Sequence, residues 1–128
     1  VKLLLDTHVL LWALAIPDRL SAETAGELVS PANDVFISAV TAWEIAIKQS
    51  LGKLDLPAPA ETWLPDAVEQ SGFCWLAIQP EDALRVGGLS WHHRDPFDRL
   101  LVAQALAGYI LVTRDDTLAE YGVETMKA

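Results

Sequence analysis

The sequence predicts an α/β domain built around a mainly parallel sheet. Short apolar runs alternate with helix-length stretches along all 128 residues, and two of those runs end in an aspartate where a helix begins. A continuous apolar run fits a strand covered on both faces, as parallel strands are. Ligands of such sheets bind beyond the carboxyl ends of the strands, where the strand order reverses.

Residues 2–6, KLLLD, form the first expected strand, with Asp6 at its carboxyl end. The almost wholly apolar residues 7–16 read as a short buried helix stopped by Pro17-Asp18, and an amphipathic helix runs from Ser21 to Ser30-Pro31. Residues 35–39, VFISA, are a second strand feeding a helix over 40–51, with Ser38 as cap and Gly52 as stop. Residues 54–65, with three prolines, connect to a helix over 63–71 and a third strand over 73–79. Pro80-Glu81-Asp82 opens a short helix ending at Gly87-Gly88, and the loop LSWHHR leads to residues 95–116. That stretch, DPFDRLLVAQALAGYILVTRDD, reads as a capped helix, a turn at Gly108, an apolar strand and two aspartates. A helical turn over 118–121 and a strand over 123–126 complete the chain, read as one domain over 1–128 without internal repeats.

A composition 52% hydrophobic and 21% charged supports a core of ordinary size. The net charge of −9 excludes a basic nucleic-acid surface, although bound cations can reverse the sign locally. The single cysteine, Cys74, excludes an internal disulfide and a Cys-rich zinc site, fits a reducing compartment, and is expected as a small buried apolar residue. Lys2 and the apolar run after it mimic a signal peptide, but Asp6 and His8 interrupt the run. No apolar run reaches the roughly 18 residues of a spanning helix, so the expectation is a soluble, cytoplasmic protein without a membrane role.

The chemistry lies in the acids. Asp6 and Asp115 fall at the carboxyl edge of the expected sheet, while Glu44 and Asp98 lie early in helices that begin there. Val40, Glu44, Ile47 and Leu51 share a helix face, which sets Glu44 in an apolar stripe with Lys48 four residues on as an available partner. In DPFDR, Asp95 reads as an N-cap and Pro96 as the first helical residue. Asp98 suits either the helix dipole or an inward face shared with Leu101, Val102 and Ala105. Asp6, Asp115 and Asp116, taken singly, read as turn or cap residues. Taken together, acids converging on one edge raise one another's pKa or collect cations. Carboxylates with the hydroxyls of Thr7, Ser38 and Thr113 select a hard cation, Mg²⁺ or Mn²⁺, suited to hydrolysis of a phosphate ester.

Other polar and aromatic residues receive plainer readings. His92 and His93 precede the acidic helix and could touch substrate, but adjacent residues diverge in direction and they read as a solvated loop pair; His8 reads as a core or structurally hydrogen-bonded histidine. The five tryptophans are expected mostly in the core, with Trp91 alone free to stack on a base.

The fragments LLLDTHVLLW, ISAVTAWEIAIK, HRDPFDRLLVAQA and LVTRDD, in this order and spacing, resemble the PIN-domain ribonucleases, and among them the VapC-like toxins of toxin–antitoxin pairs. The resemblance implies a PIN-like three-layer α/β/α sandwich and a metal-dependent endoribonuclease held silent by a co-produced antitoxin. It also implies a homodimer acting on RNA. Asp6, Glu44, Asp98 and Asp115 match the family's acidic quartet, with Asp6 and Asp98 as principal metal ligands and Glu44 and Asp115 completing the site or orienting the attacking water. Asp116 is implied as an outer ligand, Asp95 as a tolerated neighbour, and Thr7, Ser38 and Thr113 as hydroxyls that support the acids. Arg99 and Arg114 adjoin these acids, as structural ion-pair partners or RNA-phosphate contacts.

Rival readings are few. A phosphatase with an aspartyl nucleophile at Asp6 needs a second aspartate where His8 stands, and a receiver-like domain needs an acceptor aspartate that VFISA lacks. The non-enzymatic alternative is an acidic interaction module whose carboxylates cap helices and bind a basic partner.

Overall fold

The computed structural model describes residues 1–128. Strand β1 (Lys2–Leu5) is central in a five-stranded sheet with β2 (Asp34–Ser38), β3 (Cys74–Leu76), β4 (Ile110–Thr113) and β5 (Thr125–Lys127), in the order β3-β2-β1-β4-β5. Every pairing is parallel. The chain steps outward through β2 and β3, then returns across β1 to lay down β4 and β5. The strand order therefore reverses between β1 and β4, and the crevice at their carboxyl ends is where a ligand site is expected.

The apolar run of β1 explains the layers. Leu3 and Leu5 enter one core with Val35, Ile37 and Val112, whereas Leu4 enters a second core with Leu111, and all three leucines are wholly buried. Alternate side chains of one strand thus feed both faces. Helices α1 (Thr7–Ala15), α2 (Ala22–Val29) and α4 (Ala60–Gln70) cover the first face through Val9, Leu10, Leu28, Leu64 and Val68. Helix α6 (Pro96–Ala105) covers the second through Leu101, Val102 and Ala105, with α5 (Pro80–Arg85) packed on it. Helix α3 (Ala39–Ser50) gives Ile45 to the first core and Val40 to the second.

Several boundaries differ from the sequence reading for physical reasons. β3 pairs only with β2, and β2 ends at Ser38 to start α3, so the ladder has no partner beyond Leu76 and the expected seven-residue strand shortens to three. Helix α4 begins before the expected position: Gln49 Nε2 donates to Ala58 O at 3.0 Å, and Gln49 Oε1 accepts from Ala60 N–H at 2.8 Å. The side chain of α3 thereby caps a helix whose own N-cap, Pro59, has nothing to offer. The turn over Asp116–Tyr121 is 3₁₀ and closes at Gly122, whose φ of +76° suits glycine. Val123 then turns into the core before β5 begins.

Burial corrects three further expectations. Cys74 is exposed because β3 is an edge strand. His8 is exposed on the first turn of α1. No tryptophan is fully buried, and Trp43, Trp75 and Trp91 are exposed. No helix is long and apolar enough to cross a membrane.

Ser38 joins the layers. Its hydroxyl accepts from Val40 N–H at 3.1 Å as the α3 cap and donates to Gln104 Oε1 on α6 at 2.5 Å, wholly out of solvent. Ser38→Ala removes the cap and leaves the Gln104 oxygen without this donor, a cost of about 2–3 kcal/mol. Urea unfolding checks this: the midpoint falls while the slope with denaturant stays unchanged.

Candidate metal centre

Asp6 follows β1 directly and caps α1: Oδ1 accepts from Val9 N–H at 2.9 Å, and Oδ2 accepts from the Thr113 hydroxyl at 2.5 Å. Thr113 is the last residue of β4, so this bond ties the two strands at the point where the order reverses. Burial is the largest influence on Asp6 and raises its pKa, against the lowering effect of those two bonds.

Glu44 reaches the same crevice from α3. It is 3% exposed, with Oε1 accepting from the Thr7 hydroxyl at 2.6 Å and Oε2 from Lys48 Nζ at 2.5 Å. That hydrogen bond to Glu44 is the main reason the Lys48 pKa is raised. A buried carboxylate with both oxygens so engaged is stable without further partners.

Asp98 and Asp115 close the crevice on the β4 side. Asp95 caps α6, accepting from Phe97 N–H at 2.8 Å and Asp98 N–H at 3.4 Å, and this turns Asp98 inward one turn later. Asp115 caps the 3₁₀ turn through Thr117 N–H at 2.9 Å. Burial first, and then the charges of Asp95, Glu44 and Asp6, push the Asp98 pKa up to about 7, with His93 acting the other way. All four acids line one pocket of about 450 Å³ with His93, Lys48 and Arg114. A larger groove of about 720 Å³ beside Trp75 is almost wholly apolar, with Glu61 its only charged residue, and offers no comparable chemistry.

The comparisons with known proteins agree with this geometry. A family model described as "PIN domain" matches residues 3–124. Ribonuclease VapC22 of Mycobacterium tuberculosis is 32% identical over 120 residues, covering 92% of this chain and 90% of that protein. The chain belongs to the PIN-domain family. Ribonuclease VapC16 of the same organism is 36% identical over 64 residues, 47% of this chain and 45% of that protein. Among solved structures, VapBC2 from Rickettsia felis bound to a DNA fragment from their promoter superposes with a TM-score of 0.74 at 16% identity, covering 99% and 98% of the two chains. FitAB bound to an IR36 DNA fragment superposes with a TM-score of 0.60 at 19% identity, covering 98% and 94%. The three-layer arrangement is the PIN fold, with its sheet entirely rather than mainly parallel.

The PIN-domain pocket suits a divalent cation. His93, Asp98 and Asp115 each offer one ligand-type atom, all within 4.8 Å of one another. Burial first, and then the neighbouring acids, push the Asp98 pKa up, and a bound cation would act against both.

Not every expected residue joins the site. Asp116 lies outside the pocket, 84% exposed, with Lys127 Nζ 3.6 Å away. Ser38 serves Gln104 and α3 instead of an acid, whereas Thr7 and Thr113 do hold acids. Arg99 forms no ion pair: it is 3% exposed and donates to the carbonyls of Val86, Leu89, Ser90 and His93 and to the Tyr121 hydroxyl. Arg114 likewise bonds the carbonyls of Ala128 and Arg19 and lies over the Trp12 ring. Trp91 packs against Arg99, whose guanidinium carbon is 3.9 Å from the ring centroid.

His93, for which a solvated place was preferred over a substrate contact, instead lies at the acids. Its Nε2 lies 3.2 Å from Asp115 Oδ2 and 3.4 Å from Asp98 Oδ2, while His92 faces outward toward Glu120. The available signal was its spacing two residues before the cap Asp95, which lets its ring meet the cap's backbone N–H.

The raised pKa of Asp98 makes stability depend on pH. In the unfolded chain Asp98 ionises near the ordinary aspartate value of 3.8, and in the fold its pKa is pushed up to about 7. Its protonated form therefore contributes stability that is fully present below about pH 4 and lost as pH rises through 7. In EDTA, Asp98→Asn should exceed wild type by on the order of 2 kcal/mol at pH 8, a gap closing toward pH 4. Thermal or urea unfolding across that range reads it directly.

Proposed function

We propose that this protein is a metal-dependent endoribonuclease, the toxin of a toxin–antitoxin pair, that hydrolyses RNA phosphodiester bonds at the pocket between β1 and β4. The convergence of Asp6, Glu44, Asp98 and Asp115 on one crevice is the observation that carries this reading. The cation is Mg²⁺ or Mn²⁺, since the donors are hard oxygens with no thiolate. When bound, such an ion stabilises charge on a phosphoryl oxygen and makes a water more acidic.

The chain's own groups divide the remaining work. Asp98 and Asp6 hold the ion. Asp115, half-exposed on the pocket side, completes its surroundings. Glu44 is held by Thr7 and Lys48 and orients the attacking water without leaving those partners. RNA is the substrate, the antitoxin is a separate protein that covers the acidic pocket, and the working form is a homodimer. The relatives named as ribonucleases, and the structural neighbours VapBC2 and FitAB, support this reading.

Capping also accounts for Asp6, Asp95 and Asp115, and so favours the rival reading of a non-catalytic acidic module. It does not account for Asp98, whose carboxylate caps nothing, or for Glu44 in the middle of α3. Asp98→Asn therefore separates the two. Antitoxin-free protein is incubated with a pool of structured cellular RNAs in Mg²⁺, Mn²⁺ or EDTA. Discrete products that require metal and drop about 100-fold in the variant are expected. Full activity in Asp98→Asn would remove that residue from the site, and folded wild type that neither cleaves RNA nor binds metal would favour the module.

A further inference from the structure

The acidic motif leaves His93 unexplained, yet its ring is held through Nδ1 with Nε2 beside the acids. Asp95 N–H donates to Nδ1 at 3.1 Å, so Nδ1 keeps a lone pair and the neutral imidazole carries its hydrogen on Nε2. Coordination of a metal through Nε2 requires the opposite tautomer, in which two N–H groups would face each other at Nδ1. His93 is thus a poor ligand despite its place beside Asp98 and Asp115. It is a fixed donor beside the acids, with Nε2 3.2 Å from Asp115 Oδ2 and 3.4 Å from Asp98 Oδ2 and a closed hydrogen bond to neither.

The backbone is fixed as well. His93 N–H donates to the Tyr121 hydroxyl at 2.8 Å, and His93 O accepts from that hydroxyl at 3.2 Å and from Arg99 at 3.4 Å. A loop residue is rarely held by this many partners unless its side chain must arrive in one orientation.

Two other cations near the acids already have partners of their own. Lys48 is committed to Glu44, and Arg114 to the carbonyls of Ala128 and Arg19. His8 lines the pocket but has no carboxylate at ion-pair distance, its ring lying 6.2 Å from that of Trp12. Once a cation engages Asp98 and Asp115, the His93 N–H needs a new acceptor of the same charge and shape.

Resting on the ribonuclease reading, we propose that His93 is a substrate-contacting residue whose Nε2–H donates to a non-bridging oxygen of the phosphodiester held at the acidic pocket. It replaces carboxylate with phosphate as its acceptor and needs no change of tautomer to do so.

The test compares His93→Ala with His93→Gln, whose amide N–H falls near the position of Nε2. Mn²⁺ affinity is read from the paramagnetic resonance of the free ion. Binding of a fluorescent single-stranded oligoribonucleotide pool is measured in Ca²⁺, and cleavage of the same pool in Mg²⁺. In His93→Ala, RNA affinity and cleavage should both fall about tenfold while Mn²⁺ affinity stays within about twofold, and His93→Gln should recover most of the loss. Mn²⁺ affinity falling in step with cleavage in both variants would make His93 a builder of the metal site and overturn the proposal. So would a His93→Ala variant that binds and cleaves like wild type, with the ribonuclease reading intact. Wild type that binds Mn²⁺ but neither binds nor cleaves the pool would remove the ribonuclease reading, and this inference with it.

Discussion

The structure depends on holding several carboxylates at the end of a sheet that is buried on both faces. Like charges in a poorly solvated crevice repel, and each must find compensation or keep its proton. Asp6 finds it in Val9 N–H and the Thr113 hydroxyl, Glu44 in Thr7 and Lys48. Those bonds leave the Asp6 pKa still raised by burial, and Asp98, with His93 as its one near contact, is pushed by burial and by the neighbouring acids up to about 7.

Much of this was legible in local sequence. The LLL run of β1, the strand before Asp115 and the cap-Pro-x-acid start of α6 identify elements because burial on both faces gives unbroken apolar runs and a helix start has its own cap chemistry. The convergence of Asp6 and Asp115 followed from strand ends, that of Glu44 and Asp98 from the starts of the helices that begin there, and the quartet as a set from the family resemblance. What escaped depends on strand order or on distant partners. Cys74 and Trp75 look like core residues until β3 proves to be an edge. Gln49 capping α4, and Ser38 bonding Gln104 across 66 positions, are contacts that no window of neighbouring residues contains.

Arg99 and His93 make the same point at the site. An arginine next to an acid suggests an ion pair, but Arg99 is buried among backbone carbonyls of the loop that follows α5, and Trp91 covers it. Loops are satisfied by side chains when water cannot reach them. Here one buried guanidinium and the Tyr121 hydroxyl shape the loop, and His93 is delivered to the acids as a consequence. The same packing that stabilises the second core therefore sets the chemistry of the pocket.

A divalent cation entering the pocket must displace the proton that Asp98 carries below about pH 7. Calorimetric titration of antitoxin-free protein with Mn²⁺, in buffers of different ionisation enthalpy, counts the protons released on binding. The account predicts close to one proton released per protein at about pH 6 and almost none at about pH 8.5, with the pH 6 release lost in Asp98→Asn. Binding that releases no proton at pH 6, or no binding at either pH, would contradict it.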